Sequence, residues 1–223
     1  MILLGKKLVL TLNLLFLIFC STLLVQGELP VGVKQGDWIE YNVATTGNPP
    51  PEHNVTWARM EIMRVQGDEV DVNVTTQAHN GTVSSLVMDL NLSKGVIGAW
   101  WIIPANLSPG DTFYEDFLNI SVTIDGQEQL EYAGAVRTIT NATIPTRIKQ
   151  WDKETGVFVL SSDNLPDYTI RVEAYATNMW VSQILGLNPI VFYVIVVAVV
   201  AVIVASIMVV ARRRRRKHNE PSK

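Results

Sequence analysis

Apolar and polar residues alternate along most of the chain between residues 37 and 180. A period of two predicts strands with one buried and one wet face. Val70, Val72 and Val74 alternate with Asp71, Asn73 and Thr75, and Met88, Leu90 and Leu92 alternate with Asp89 and Asn91. Ile120, Val122 and Ile124 repeat the pattern. Strands are expected over 37–46, 56–65, 69–78, 82–92, 95–104, 119–124, 129–140, 143–151, 157–160 and 168–180, about ten in all. Gln66-Gly67-Asp68, Asn80-Gly81, Asp125-Gly126, Asn141-Ala142 and Trp151 to Val157 separate neighbours, with Asn-Gly and Asp-Gly suiting tight hairpins. Gly47 to His53 holds three prolines and is expected to be a surface loop of polyproline character, a stiff connector or a docking segment. Short links imply antiparallel neighbours. The predicted fold is mostly β, an antiparallel meander forming a strongly curved sheet or partly open barrel, because one such sheet must curl to bury a face.

Two stretches break the alternation. Lys6 and Lys7 precede an apolar run from Leu8 to Phe19, and Val25-Gln26-Gly27 offers small residues for cleavage. This is the layout of a secretory signal peptide over residues 1–27, the rival being an uncleaved anchor. Bulky Phe19 before Cys20 argues against a lipidated cysteine. Ile190 to Ala211 is 22 residues without a charge. At about 1.5 Å per residue it reaches ~33 Å as a helix, enough for a hydrocarbon core of about 30 Å. Arg212 to Lys217 follow at once, and basic flanks stay cytoplasmic. The expected layout is a signal peptide (1–27), an extracytoplasmic β domain (28–187), one transmembrane helix (188–211) and a basic cytoplasmic tail (212–223). That is a single-pass cell-membrane protein with its main domain outside.

Charge and cysteine content sharpen this picture. Residues 28–189 carry 20 Asp and Glu against 9 Lys and Arg, a balance of −11, and the tail is at +6. An acidic exterior repels nucleic acid. The basic tail is accounted for as a stop-transfer flank, with attraction to anionic lipid as a further possibility. Cys20, the one cysteine, lies in the leader, so the external domain holds together by packing without disulfides.

Gly36-Asp37-Trp38, then Ile103-Pro104-Ala105-Asn106-Leu107 with Gly110-Asp111, and then Trp151-Asp152-Lys153-Glu154-Thr155-Gly156 give the chain a familiar outline. It resembles archaeal membrane-anchored β-rich ectodomains with a signal peptide and one final span. The Asp-Lys-x-Thr-Gly hairpin is also similar to one in lipoprotein-carrier-like half-barrels of cell envelopes. No activity attaches to the first group, so the resemblance implies an architecture and no functional residue.

Catalytic and metal motifs are sparse. His53, His79 and His218 have no second histidine or cysteine at ligand spacing, so no metal or cofactor is expected. Asp68, Asp71 and Asn73 lack the glycine and late glutamate of a calcium loop. The chain has no Gly-x-Ser-x-Gly elbow and no phosphate loop. Adjacent carboxylates such as Asp68 with Glu69, or Glu115 with Asp116, point to opposite faces of a strand. The expected protein is not an enzyme. A hydrolase would require dispersed carboxylates to converge in space.

The repeated chemical signal is Asn-x-Ser/Thr, at Asn54, Asn73, Asn80, Asn91, Asn106, Asn119 and Asn141. Polar-side or turn positions predict that the last six are exposed, as glycan acceptors must be. The leading expectation is therefore a surface glycoprotein whose ectodomain binds or supports a membrane-protein or envelope partner. Contacts would use the sequon-free stretch from Ile144 to Trp180, with Trp151 and Trp180 as aromatic anchors. The alternative is a carrier holding a lipid or other apolar ligand on the concave face, lined by Trp100 and Trp101. Ala201 and Ala205, one turn apart, would allow the span to self-associate.

Overall fold

The computed structural model describes residues 29–98, 100–144 and 147–218, so the expected signal peptide lies outside the described residues. The chain is mostly β. Strands β1 (Trp38–Gly47), β2 (Val55–Gln66), β3 (Glu69–Ala78) and β4 (Val83–Asn91) form a meander. A small antiparallel pair follows, β5 (Thr112–Glu115) and β6 (Ile120–Thr123). A second meander comprises β7 (Gly126–Tyr132), β8 (Ala135–Ile144), β9 (Arg147–Asp152), β10 (Phe158–Asn164) and β11 (Tyr168–Thr177). The long helix α1 (Pro189–His218) ends the described chain.

The two meanders join along β1 and β11 into one nine-stranded sheet, ordered β4-β3-β2-β1-β11-β10-β9-β8-β7. Its edges β4 and β7 do not pair with each other, so the sheet is open, and β7 curls back towards β11. Alternation makes one inner face. Ile39, Tyr41 and Val43 pair or align with Ala58, Met60 and Ile62, then with Val70, Val72 and Val74, all buried. Ile97, Trp100, Ile102, Phe113, Val122 and Ile124 cover that face as part of the same core.

Several local expectations change. Among the described residues of 95–104 there is no strand: Trp100 has φ 81°, and the segment's β-pairing is limited to isolated bridges at Val96 and Ile102. It is apolar because it straps across the core, not because it belongs to the sheet. Residues 129–140 are not one strand, since Ala133 and Gly134, with φ of 48° and 75°, make a two-residue turn between β7 and β8. Two successive positive values are what a tight hairpin of this hand requires. Asn141-Ala142 lies inside β8, and Asp125-Gly126 connects the small pair to the main sheet instead of closing a hairpin. Pro51–His53 forms a short 3-10 turn within the proline loop.

Two of the three motif stretches, Ile103 to Leu107 and Trp151 to Gly156, meet in space. The Asp152 carboxylate is fully buried and accepts bonds from the Thr155 amide and hydroxyl, both at 2.9 Å. Arg137 donates to it at 2.7 and 3.1 Å. The hairpin then docks against the strap: Ile103 N–H donates to Gly156 O at 3.0 Å and Asn106 N–H to Lys153 O at 2.7 Å. A Cβ on Gly156 would stand 2.1 Å from Ile103 O, and one on Gly32 would stand 2.1 Å from Glu154 O. Both positions require glycine because backbone from another segment occupies the side-chain space. Asp152, Thr155 and Gly156 of the late motif are thus explained by hydrogen bonding and packing.

The first 20 residues of α1, Pro189–Met208, are long and apolar enough to cross a membrane, and none of that stretch is buried against the domain. The helix continues through the arginine run to His218, past the expected end at Ala211.

Candidate functional site

Curling the sheet leaves room between its inner face and the covering segments. The resulting cavity is about 620 Å³. That falls within the ~300–1,000 Å³ range of small-molecule sites. Its floor is the inner face of β9, β10 and β11, including Phe158, Ile170 and Val172. Its cover is the strap from Gly95 to Trp101, with the β5–β6 turn at Glu115 to Leu118. Trp100 and Trp101 both line it, the former buried and the latter half-buried. Trp100 is held from behind, where the Trp151 indole N–H donates to its carbonyl at 2.9 Å. Tyr41 packs edge-on to Trp101 and donates its hydroxyl to Phe158 O at 2.9 Å. Burial pushes the Tyr41 phenol well above its ordinary value, so it stays a neutral donor.

The β5–β6 turn is shaped by one side chain. Buried Glu115 accepts from the amides of Phe117 at 3.1 Å and Leu118 at 2.6 Å. Asp116 N–H donates to Gly95 O at 3.1 Å, tying this turn to the strap. Phe117 itself is 90% exposed at the cavity rim.

One end of the cavity is polar. On β9, Arg147 and Lys149 share the inward parity of Trp151, and on β10 they face Asp163 and Ser161. Lys149 Nζ donates to Ser161 Oγ at 2.5 Å and lies 3.2 Å from Asp163. Ser161 donates to Asp163 Oδ1 at 2.6 Å, and Arg147 Nε stands 3.7 Å from Asp163. Burial pushes the Lys149 amine down, and the Asp163 charge opposes that shift. A lysine beside a serine is also the layout of an activated nucleophile. Here the serine hydroxyl donates its hydrogen bond to the Asp163 carboxylate, and its strand is paired on both sides by β9 and β11. His53, bonded to the Tyr168 hydroxyl, completes this end. It lies at the opposite end of the strands from the one where β11 leads to α1.

The expected aromatic anchors are elsewhere. Trp151 is 0% exposed beneath Trp100 and Phe113. Trp180 is buried too; its indole N–H donates to Tyr132 O at 3.1 Å, and Arg137 stacks 5.0 Å from its ring. Neither side chain is available to a partner. The sequence does not separate the two states, because an indole at a strand end or before a span looks the same whether exposed or covered. Among the acceptors, Asn54, Asn80, Asn106 and Asn119 are exposed. Asn73, Asn91 and Asn141 are half-buried, against the expectation of exposure, because neighbouring strands or a local turn cover them. Asn91 spends its side-chain oxygen on Lys94 N–H at 3.0 Å, and Asn141 is a mid-strand residue. Asp71 pairs with Arg64 at 2.6 Å across the β2–β3 hairpin.

Arg147, Lys149, Ser161 and Asp163 were not apparent as site residues from the sequence. One signal was present: in Arg147-Ile148-Lys149 the charges share the parity of buried Trp151, and Ile148 is 51% exposed. A strand whose cations fall on its core-facing positions marks a polar patch inside.

No family model and no curated protein matches the chain. A solved structure of the siderocalin Ex-FABP, described as functioning through dual ligand specificities, is similar at 12% identity with a TM-score of 0.27, over 67% of this chain and 76% of that one. That likeness is too slight to bear on ligand or activity.

Proposed function

We propose that this protein is a single-pass surface protein whose β ectodomain holds an apolar ligand in the cavity between the inner face of β9–β11 and the strap from Gly95 to Trp101. The observation that carries this reading is the cavity, about 620 Å³ and lined mainly by aromatic and aliphatic side chains. A scaffold needs no such space, and packed interiors hold few voids larger than a water molecule. The carrier reading displaces the partner-contact reading because Trp151 and Trp180, the anchors of the latter, are buried. The test uses the full chain purified from its native membrane into nanodiscs. Native mass spectrometry and extraction will recover one apolar molecule per chain, above the lipid of empty discs. A preparation that carries nothing, and does not bind an environment-sensitive dye such as anilinonaphthalene sulfonate, would sink the reading.

The same proposal places the ectodomain outside and the arginine run inside, because the apolar stretch of α1 is followed by basic residues. Protease added to intact cells will digest the β domain and spare a tag after Lys223. Loss of the tag instead would reverse the orientation. The exposed acceptors Asn54, Asn80, Asn106 and Asn119 are the sites where a shift on glycosidase treatment is expected first. Self-association through Ala201 and Ala205 is a separate proposal, tested by membrane cross-linking of the doubly leucine-substituted chain.

A further inference from the structure

The polar end of the cavity has an uneven charge balance. Two cations, Arg147 and Lys149, lean on one carboxylate, Asp163. Among the described residues no second carboxylate lies within ion-pair distance of either. Glu115 lines the same cavity but is committed to the amides of Phe117 and Leu118, and Asp116 is exposed at the rim. The Lys149 side chain is 7% exposed, so its charge is held largely out of water. A buried cation without a full counter-charge is costly, and a bound anion offsets that cost. Arg147 is the looser of the two: it stands 3.7 Å from Asp163, beyond hydrogen-bond reach, and keeps a third of its side chain accessible. Its guanidinium has donors left for a planar or tetrahedral oxyanion. Beyond this cluster the wall becomes apolar at once, through Phe158, Ile170, Val172 and Trp101.

We infer that the ligand is an anionic amphiphile: a carboxylate or phosphate head held by Arg147 and Lys149, with a hydrocarbon chain lying along Phe158, Val172 and Trp101 under the strap. Asp163 and Ser161 are positioning residues. They fix Lys149 in one place, and Asp163 keeps the site from accumulating two free charges when empty. The polar end lies away from the strand ends that lead to α1, so the head enters or leaves on the side remote from the helix.

The assignment rests on the cavity being a ligand site, and the test separates the two claims. The full chain in nanodiscs, with empty discs subtracted, is titrated with decanoate, decyl phosphate, decanol, acetate and inorganic phosphate. Displacement of a cavity-bound dye is the readout. Decanoate and decyl phosphate will bind roughly 10-fold or more tighter than decanol, the scale of a charge-assisted hydrogen bond. Acetate and inorganic phosphate will not compete. In Arg147→Gln, which leaves the Lys149–Ser161–Asp163 set intact and is expected to fold, the preference for the anion will fall by about 10-fold with decanol binding unchanged. Arg147→Lys will restore part of it. Equal binding of decanoate and decanol to the native chain, or an unaltered preference in Arg147→Gln, overturns the head-group assignment and leaves the apolar cavity standing. Tight competition by the tail-free anions also overturns it, in favour of a simple anion site. If no decyl compound binds, the cavity reading fails and the head-group assignment falls with it.

Discussion

Asp152→Ala will lower the stability of the ectodomain by about 3–5 kcal/mol, the usual cost of removing one partner from a buried ion pair. The Asp152 side chain is fully buried, and it gathers Arg137 and both donors of Thr155. Alanine leaves the guanidinium, mostly covered beneath Trp180, with only the exposed Glu154 as counter-charge, and leaves the buried Thr155 amide without an acceptor. It also loosens the turn that presents Gly156 and Lys153 to the strap, so the damage spreads to the cover of the cavity. Against a total stability of about 5–15 kcal/mol for a domain, such a loss approaches unfolding. The measurement is the denaturant midpoint followed by tryptophan fluorescence, since Trp100 and Trp151 lie in the affected core. Glu154→Ala is the control. Glu154 also pairs with Arg137 but is exposed, and exposed pairs contribute about 0–1 kcal/mol. If the two variants unfold at the same midpoint as the native chain, Asp152 does not organise the hairpin.

The second large effect is on binding. Val172→Trp will reduce affinity for the apolar ligand roughly 100-fold, about 2.7 kcal/mol, with little change in the unfolding midpoint. Val172 is half-buried on the inner face and lines the cavity floor. A larger side chain there grows into empty space instead of into packed neighbours, so the usual penalty of overfilling a core does not apply. Arg171 is the next residue of β11 and faces the other way, exposed and paired with Glu173 at 2.8 Å. Arg171→Trp will leave binding unchanged. Dye displacement on both variants checks the prediction; an undiminished affinity in Val172→Trp would place the ligand elsewhere.

The fold was legible in the chain wherever the signal was local. Period-two alternation placed β1 to β4 within a few residues; β1 to β3 each put one face towards the core, whereas the edge strand β4 buries only Leu90 and leaves Val83, Leu86 and Val87 exposed. Short polar links implied antiparallel neighbours, and the uninterrupted apolar stretch marked the helix at Pro189–Met208. Turn chemistry succeeded at Gly67 and Gly81, where glycine supplies the positive φ, and failed at Ala133-Gly134, where alanine occupies a position that turn residues normally take. The alternation at 119–124 marks β6, but its partner β5 is not legible, because it is four residues long and ends in a buried glutamate.

What the tertiary structure alone decided is everything that depends on residues far apart in the chain. Pairing of β1 with β11 joins positions more than a hundred residues apart and turns two meanders into one sheet, and no local pattern encodes it. The segment from Gly95 to Pro104 is as apolar as a core strand, and only its crossing over the inner face shows it to be a cover. The candidate site is a consequence of both. Arg147 and Lys149 on β9 meet Ser161 and Asp163 on β10 through a register set by the hairpin between them, and the space beside them exists because a curved sheet and a strap do not touch everywhere. Hydrophobic pattern determines which face of each strand is buried, since that depends on neighbours two residues away. Whether a buried face ends against another side chain or against an empty volume depends on how distant segments close over it.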